Sequence, residues 1–250
     1  MAALTPLLSA RGLTRRFGGL TAVDGVDFDL SEGEVRAIIG PNGAGKTTFV
    51  SLLCGRLAPS EGTITFDGAD ITNLPAHRRV LAGIAYTFQI TSIFANLTVA
   101  ENVALAVQRR HVGGRGHRRD RASLAREVAH ALDRVGLSGR ADEIAGNLAY
   151  GHQRLLEVAM GLALVPRLLI LDEPTQGLSD AEIEGFIALV RAIAGDTTVL
   201  LIEHNMPVVM ALAGRITVMD RGRIIAEGAP AEIRANQAVQ AAYLGAPADG

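Results

Sequence analysis

Three residue types are scarce or absent in this chain of 250 residues, which has no tryptophan, one cysteine (Cys54) and one lysine (Lys46) against 23 arginines. A single cysteine cannot form a disulfide bond within the chain, which indicates a reducing compartment such as the cytosol. The formal net charge is only −2, whereas domains that bind nucleic acid are usually strongly basic. We therefore expect no nucleic-acid partner.

Long apolar runs are also missing. The longest apolar region, residues 155–171, is interrupted by Glu157, Pro166 and Arg167, whereas a membrane-spanning helix needs about 20 mostly apolar residues. The first residues, MAALTPLLSARG, lack an early basic region and a long apolar stretch, so we expect no signal peptide. The sequence predicts a soluble chain, which could still associate with a membrane partner.

The first third of the chain has the patterns of strands and turns. Residues 26–30 alternate apolar and acidic side chains, as in a half-buried strand, and residues 35–39 form a short apolar run. Residues 47–57 have the apolar spacing of a helix. Residues 63–66 predict another strand, which the turn signal at residues 67–68 closes.

The rest of the chain changes from helical to sheet-like patterns. Residues 90–160 are predicted to be mainly helical, with an arginine-rich loop at 109–121. The apolar runs 168–171 and 199–202 do not alternate, which is typical of strands buried on both faces of a parallel sheet. Residues 220–222 have the composition of a hairpin turn. Together these patterns favour an α/β fold with an inserted helical part.

The stretch GPNGAGKTT, residues 40–48, matches the phosphate-binding loop (P-loop) pattern G-x-x-x-x-G-K-T. It lies between a predicted strand and a predicted helix, which is the context that this motif requires. Its glycines let backbone N–H groups turn inward around nucleotide phosphates, and the N-terminus of the next helix adds to this attraction. The hydroxyl of Thr47 is suited to Mg²⁺.

The only lysine of the chain lies in this loop. To reach the β- and γ-phosphates of a nucleotide, Lys46 must pass through a tight wrap of backbone. An ammonium is a compact charge, whereas a guanidinium is a broad planar fork, so arginine would not fit with the same donor geometry. The competing interpretation, a chance glycine-rich turn, leaves unexplained both the flanking strand and helix and the carboxylates further along the chain.

Carboxylates and a histidine follow two of the buried strands. In LLILDEP, Asp172 is expected to hold Mg²⁺, directly or through water, and Glu173 to act as general base on the attacking water. The alternative is that the pair only ends a strand before a turn. His204 follows TVLLIE at the edge where ligands bind in open α/β sheets, so it is a candidate to contact the γ-phosphate.

Residues 147–160, NLAYGHQRLLEVAM, resemble the signature motif of ATP-binding cassette (ABC) proteins, usually written LSGGQ. The order of motifs is complete, and the resemblance covers nearly the whole chain. It implies one ABC ATPase domain of the α/β class, with a P-loop NTPase (RecA-like) core, an antiparallel β subdomain and an inserted helical subdomain. The expected bounds are 1–89 and 161–225 for the core with the β subdomain, 90–160 for the helical subdomain and 226–250 for a C-terminal tail.

The resemblance also implies roles for single residues, with ATP and Mg²⁺ as cofactors. Phe17 matches the aromatic residue that stacks on adenine, although its ring could instead pack in the core. Gln89 matches a glutamine that contacts Mg²⁺ and senses membrane subunits, and residues 177–180 match the D-loop, which links two nucleotide sites. The expected catalytic residues are Glu173, His204 and Lys46, and the expected metal ligands are Thr47, Gln89 and Asp172. The expected nucleotide contacts are Phe17, Asn42, Gly43, Ala44, Gly45, Lys46, Thr47, Thr48, Gln89, Leu148, Ala149, Tyr150, Gly151 and His152.

Two residues depart from the usual signature motif. Ala149 replaces its serine and His152 replaces its glutamine. The missing hydroxyl would contact the γ-phosphate across a dimer interface, and losing such a bond to a charged group costs about 1.5–3 kcal/mol. The N–H of Gly151 and the helix that follows can still face a phosphate, so we expect a weakened contact rather than none.

Further segments resemble one branch of the family, the LivG-like ATP-binding subunits of branched-chain amino acid importers. These segments are RFGGLTAVDGV, LAYG and AAYLG. The resemblance implies two membrane permease subunits, an external substrate-binding protein, and a paralogous ATP-binding subunit or a second copy of the chain as partners. It also implies a peripheral location at the cytoplasmic face of the inner membrane. Amides, urea or aromatic acids as substrates, or lipopolysaccharide export, remain alternatives.

Two surfaces have more than one interpretation. Ile90, Ile93, Phe94 and Leu97 follow Gln89 and are candidates for a groove that receives a permease helix, or else ordinary core of the helical part. The arginine-rich loop at 109–121 is either a solvated connection or a contact with anionic lipid headgroups or an acidic partner.

Overall fold

The computed structural model describes residues 5–87, 92–111 and 121–244. The strands in these segments are β1 Leu8–Phe17, β2 Leu20–Leu30, β3 Val35–Ile39, β4 Glu61–Phe66, β5 Ala69–Asp70, β6 Ile84–Thr87, β7 Leu168–Asp172, β8 Thr198–Ile202, β9 Arg215–Asp220 and β10 Arg223–Gly228. The helices are α1 Lys46–Leu53, α2 Ala76–Ala82, α3 Val99–His111, α4 Arg121–Arg134, α5 Tyr150–Ala163, α6 Asp180–Ile193, α7 Met206–Leu212, α8 Pro230–Ala235 and α9 Gln237–Leu244.

The strands form two sheets. One is antiparallel with the order β2-β1-β4-β5, and the other has the order β10-β9-β3-β8-β7-β6. In the second sheet β9, β3, β8, β7 and β6 run parallel, and β10 pairs antiparallel with β9 at one edge. The expectation of an α/β fold with an antiparallel β subdomain is confirmed, as is the hairpin at residues 220–222.

The central strands are buried on both faces, as their apolar runs predicted. In β7, Leu168 and Ile170 pack with α1 and the antiparallel sheet, whereas Leu169 and Leu171 pack with α3, α4, α5 and α6 on the other face. Because successive side chains of a strand point to opposite faces, a run without polar residues can fill both cores. This places the carboxyl ends of β3, β7 and β8, which precede the P-loop, Glu173 and His204, along one edge of the sheet.

Helix α1 is shorter than predicted, so the expected helix over residues 47–57 is wrong at its C-terminal end. It ends at Leu53, and Gly55 follows with a left-handed φ of 77°. The buried guanidinium of Arg79 donates to the carbonyl groups of Leu52 (2.7 Å) and Leu53 (2.8 Å). These acceptors are among the carbonyls that a helix end leaves unpaired, and so Arg79 stabilises the early stop.

The region predicted to be helical contains α3, α4 and α5 packed on one another. The loop predicted at 109–121 is wrong at both ends, because residues 109–111 belong to α3 and Arg121 begins α4. The rest of the predicted loop, residues 112–120, lies outside the described residues. Across the described ranges, none of the helices combines the length and the apolar character that a membrane crossing requires.

Candidate functional site

The P-loop lines a cavity of about 640 Å³ at the edge of the parallel sheet, together with Glu173. It connects the end of β3 to the start of α1, and the expected residues Asn42, Gly43, Ala44, Gly45, Lys46, Thr47 and Thr48 all line the cavity. Gly45 has a φ of 97°, and a Cβ there would collide with the carbonyl oxygen of Ala22. Glycine is therefore required for both the conformation and the close approach.

The β9–β10 hairpin, near the C-terminal end of the chain, supports the P-loop. The sequence did not predict this contact. The N–H of Gly222, in the β9–β10 turn, donates to the carbonyl of Ala44 (2.9 Å), and the N–H of Asp24 donates to the carbonyl of Gly222 (2.9 Å). Arg223 adds a two-pronged contact with the carboxylate of Asp24 at 2.8 and 2.6 Å. Ala22, Arg221 and Gly222 line the cavity as well. The turn signal was visible in the sequence, but only the sheet order places it against the P-loop.

The ammonium of Lys46 lies inside the loop, in the place that the compact-charge argument requires. Its Nζ donates to the carbonyl groups of Gly40 (2.6 Å) and Pro41 (3.0 Å). Burial lowers the pKa of Lys46 from its ordinary value, while the carboxylates of Glu173 and Asp172 act in the opposite direction. The lysine is thus held in the loop by carbonyl groups that a negatively charged phosphate can replace.

Asp172 is the last residue of β7 and is only 1% exposed. The hydroxyl of Tyr86, on the neighbouring strand β6, donates to its Oδ2 at 2.6 Å. Burial raises the pKa of Asp172, and the hydrogen bond from Tyr86 works against this shift. Burial, and then the bond to Asp172, raise the pKa of Tyr86, so the phenol remains a donor. No motif in the sequence pointed to Tyr86.

Glu173 and His204 lie close to each other. Glu173 has a left-handed φ of 47°, and its N–H donates to the carbonyl of Ile202 (2.9 Å). The Nδ1 atom of His204 lies 3.8 Å from Oε1 of Glu173, and the histidine side chain is 60% exposed. His204 is not among the described residues that line the P-loop cavity.

The neighbouring Glu203 was overlooked in the sequence. It is fully buried, and its carboxylate accepts from the N–H groups of His204 (2.7 Å), Asn205 (2.9 Å) and Thr175 (3.2 Å) and from the hydroxyl of Thr175. Glu203 therefore links two segments of backbone. One segment contains His204, and the other follows Glu173. A carboxylate at the end of a buried apolar strand was the signal that could have identified it.

Phe17 lies at the end of β1 and is 42% exposed, so packing in the core is not its role. The guanidinium of Arg15 lies 4.6 Å from its ring centroid, a cation–π contact. Among the described residues, Leu20, Thr21 and Ala22 line the P-loop cavity on this side, and Phe17 does not. Gln89, which the family resemblance also assigned to the nucleotide site, lies outside the described residues.

The signature segment lies apart from the P-loop cavity. Ala149 is the N-cap of α5 and makes no side-chain cap, and Tyr150 is 42% exposed. Gly151 and His152 line a different cavity, of about 350 Å³, between α4, α5 and α6, and Leu148 is buried. Among the described residues, no member of 148–152 lines the cavity around Lys46. One chain therefore does not bring the two predicted parts of the nucleotide site together.

The D-loop residues contact this segment within the same chain. Gly177 lies against the ring of Tyr150, and Ser179 begins α6 with a capping box in which Glu182 accepts from the N–H (2.8 Å) and the hydroxyl (2.7 Å) of Ser179. The same carboxylate lies beside Gly151, where an added Cβ would collide with it. The D-loop and the signature segment are thus one packed unit.

Two family models match the chain. The model described as ABC transporter matches residues 23–176, which include the P-loop, the signature segment and Asp172 with Glu173. The model described as branched-chain amino acid ATP-binding cassette transporter matches residues 223–249 at the C-terminal end.

Curated relatives and solved structures match almost the whole chain. The high-affinity branched-chain amino acid transport ATP-binding protein BraF of Pseudomonas aeruginosa is 41% identical, with 96% of this chain and 98% of the relative covered. LivG of Escherichia coli strain K12, which has the same description, is 40% identical with the same coverage.

Among solved structures, a nucleotide-free ATP-binding cassette from an ABC transporter has a TM-score of 0.85 at 27% identity, covering 96% of this chain and 99% of that one. A solved structure of an ATP-binding cassette in its ADP conformation gives 0.85 at 28% identity with the same coverage. From these matches, and from a P-loop facing Glu173 in one cavity, the chain belongs to the ABC transporter family of ATP-hydrolysing proteins, in the group that contains BraF and LivG.

Proposed function

We propose that this chain is the ATP-hydrolysing subunit of an importer for branched-chain amino acids. The observation that carries the proposal is its 40–41% identity, over 96% of the chain, to proteins described as branched-chain amino acid transport ATP-binding proteins. The match of residues 223–249 to a branched-chain amino acid cassette model supports the same substrate class.

In this proposal the cavity around Lys46 holds the phosphates of ATP. The N–H groups of residues 42–48 and the N-terminus of α1 surround the phosphates, and Lys46 leaves the carbonyl groups of Gly40 and Pro41 to bind them. Phe17 supplies an exposed ring for the adenine. The core with the β subdomain (1–89 and 161–225), the helical subdomain (90–160) and the tail (226–250) are assigned as parts of one ABC ATPase domain.

The donor set at this cavity fits Mg²⁺. Thr47, which lines the cavity, contributes a hydroxyl, and Asp172 contributes a buried carboxylate at the end of β7. Hard cations prefer such oxygen ligands, and Gln89, assigned from the resemblance alone, lies outside the described residues. Mg²⁺ is usually bound through one or two carboxylates and the phosphates of a substrate. When bound, Mg²⁺ neutralises charge that develops on the phosphates.

The hydrolytic step is assigned to Glu173 and His204. Glu173 lines the cavity and accepts a proton from the attacking water. His204 is 3.8 Å from that carboxylate and exposed enough to contact the γ-phosphate. Glu203 is assigned no contact with ATP, because its buried carboxylate is occupied by backbone N–H groups and by Thr175.

A second ATP-binding chain completes the site. The segment Leu148, Ala149, Tyr150, Gly151 and His152 is assigned to the γ-phosphate bound by the partner chain, which is a paralogue or a second copy. Support comes from the exposure of Ala149 and Tyr150 at the N-terminus of α5, and from the separation of the segment from the P-loop cavity of its own chain. The N–H groups of the first helical turn have no intrahelical partners and favour an anion.

Another cavity, of about 400 Å³, lies between α2, β6, α3 and α5, and we call it the docking groove. Its walls include Phe94, which is 54% exposed, Leu105, Met160, Arg56 and Arg109. We assign it to a helix of a membrane permease subunit, so the chain associates peripherally with the cytoplasmic face of the inner membrane. Ile93, predicted for this groove, packs instead against the core of the helical part. Ile90 lies outside the described residues.

Reconstitution with the permease subunits and the external binding protein tests the substrate. Proteoliposomes that contain the complex and internal ATP are expected to accumulate labelled leucine, isoleucine or valine, and the same complex carrying Glu173→Gln is expected not to. Uptake of an amide, urea or an aromatic acid without uptake of leucine would contradict the branched-chain assignment while leaving the ATPase assignment intact.

A further inference from the structure

One phenol connects the docking groove to the carboxylate assigned to Mg²⁺. Strands β6 and β7 are parallel neighbours, and Tyr86 is in register with Ile170. Asp172 lies two residues further along β7, so it projects from the same face of the strand as Ile170. The tyrosine ring spans this step, and its hydroxyl donates to Oδ2 of Asp172 at 2.6 Å.

The same hydroxyl is contacted from the groove side. Nη1 of Arg56 donates to the Tyr86 hydroxyl at 3.3 Å, and the guanidinium carbon lies 5.5 Å from the centroid of the tyrosine ring. Arg56 is exposed, and both residues line the docking groove together with Phe94 and Leu105. A group that enters the groove therefore meets Arg56 first and Tyr86 behind it.

The hydrogen bond from Tyr86 fixes the orientation of the Asp172 carboxylate. With Oδ2 accepting from the phenol, Oδ1 is left for a cation or its bound water. Asp172 is nearly fully buried and next to Glu173, so a loss of the phenol donor leaves a buried charged oxygen without that compensation. Such a loss is costly, and it favours side-chain orientations that no longer face the cavity.

We propose that Tyr86 is a positioning residue that holds Asp172 for Mg²⁺, and that Arg56 makes this position depend on what occupies the docking groove. The proposal rests on the proposed ATPase site and docking groove. A carboxylate or carbonyl group of the docked permease segment accepts hydrogen bonds from Arg56 and draws it away from the phenol of Tyr86. The orientation of the Asp172 carboxylate then changes. Tyr86 does not touch the nucleotide and is therefore not a catalytic residue.

Calorimetry with ADP at a series of Mg²⁺ concentrations tests the positioning role in the isolated chain. Tyr86→Phe keeps the ring and removes only the hydroxyl. We expect its ADP affinity without Mg²⁺ to equal that of the wild type, and its half-saturating Mg²⁺ concentration to rise about fivefold. A purely structural role would instead lower the Mg²⁺-free affinity, so that result, or an unchanged Mg²⁺ dependence, would overturn the positioning role.

Arg56→Ala tests the connection to the groove, with Arg78→Ala as the matched control. Both arginines are exposed, and Arg78 lies on α2 outside the lining of the groove. Arg56→Ala is expected to change the half-saturating Mg²⁺ concentration about twofold, and the control is expected to leave it unchanged. Equal behaviour of the two variants would refute the connection to the groove. Because Arg56 is on the surface, this variant also serves if Tyr86→Phe fails to fold.

The assembled transporter provides the last comparison. Joining the permease subunits is expected to shift the half-saturating Mg²⁺ concentration of the wild type, and to shift that of Tyr86→Phe much less. Equal shifts would refute the proposal. If the wild-type chain binds no ADP at any Mg²⁺ concentration, the proposed ATPase site fails first, and the two failures are thus distinguishable.

Discussion

In the P-loop cavity, two distant parts of the chain support the phosphate-binding loop, whereas the N-terminus of α5 has no side-chain cap and exposes Ala149 and Tyr150. The P-loop is fixed by Ala22 on β2, by the turn at Gly222 and by the ammonium of Lys46. The signature segment is supported from behind by Gly177 and Glu182. The first region can bind a nucleotide within one chain, and the second presents donors that another molecule must meet.

The two regions should therefore respond differently to mutation. Changes in the P-loop cavity should alter nucleotide binding or chemistry in the isolated chain. Changes in the signature segment should leave nucleotide binding by the isolated chain unaltered and should change hydrolysis only in the assembled, ATP-bound state.

Glu173→Gln should slow hydrolysis most, by about 10²–10⁴-fold, because it removes the general base without changing the size of the side chain. ATP affinity should stay within a few fold of the wild type. Single-turnover hydrolysis and equilibrium binding on the same preparation measure both quantities. Near-normal turnover would mean that another residue is the general base. It would also contradict the claim that residues of the P-loop cavity carry out hydrolysis.

Lys46→Arg should weaken nucleotide binding about 10–100-fold although the charge is kept, because a guanidinium cannot take the place between the carbonyls of Gly40 and Pro41. Calorimetry with ADP gives the affinity. Arg234→Lys, on the exposed surface of α8, is the control for an exchange between these residues. Unchanged affinity for Lys46→Arg would remove the steric reason for a lysine at this position.

Gly151→Ala should lower hydrolysis by the assembled transporter about tenfold or more, because the added Cβ collides with Glu182 behind the segment and displaces the N–H groups that face the partner's phosphate. The collision is with the carboxylate of Glu182, which accepts from Ser179 at the N-cap of α6, so the displacement should stay within the signature segment and the D-loop. ADP binding by the isolated chain should be unaffected. A loss of that binding would mean that the two regions are not separate within one chain.

Ala149→Ser should have the smallest effect. A serine at the N-cap of α5 should raise the free energy of unfolding by about 0.5–2 kcal/mol, and hydrolysis should be equal to the wild type or faster. Thermal unfolding and steady-state turnover measure the two effects. A marked loss of activity would show that the segment packs differently from the usual signature motif.

Local patterns were enough to predict the parts of the molecule that depend on local causes. The apolar runs gave β3, β7 and β8 because a strand buried on both faces needs no polar residue, and the P-loop pattern located Lys46 and its neighbours. The order of strands then brings Glu173 and His204 to one edge.

What the sequence missed depends on contacts between distant residues. The stop of α1 is fixed by Arg79, the P-loop by Gly222, and Asp172 by Tyr86. No local sequence pattern marks these partners for the contacts they make, and only the folded structure shows those contacts. Glu203 differs, since its place after an apolar strand was visible, but nothing local told a structural carboxylate from a catalytic one.

The contact between Ala44 and Gly222 has a consequence for biosynthesis. The strand that leads into the P-loop pairs with β8 and β9, which are made after most of the chain. At about 5–20 residues per second, on the order of 10–40 s separates the synthesis of the loop from that of the turn that supports it. During that interval the nascent chain carries a phosphate-binding sequence without its supports, so it should acquire affinity for nucleotide only when the ribosome has nearly finished.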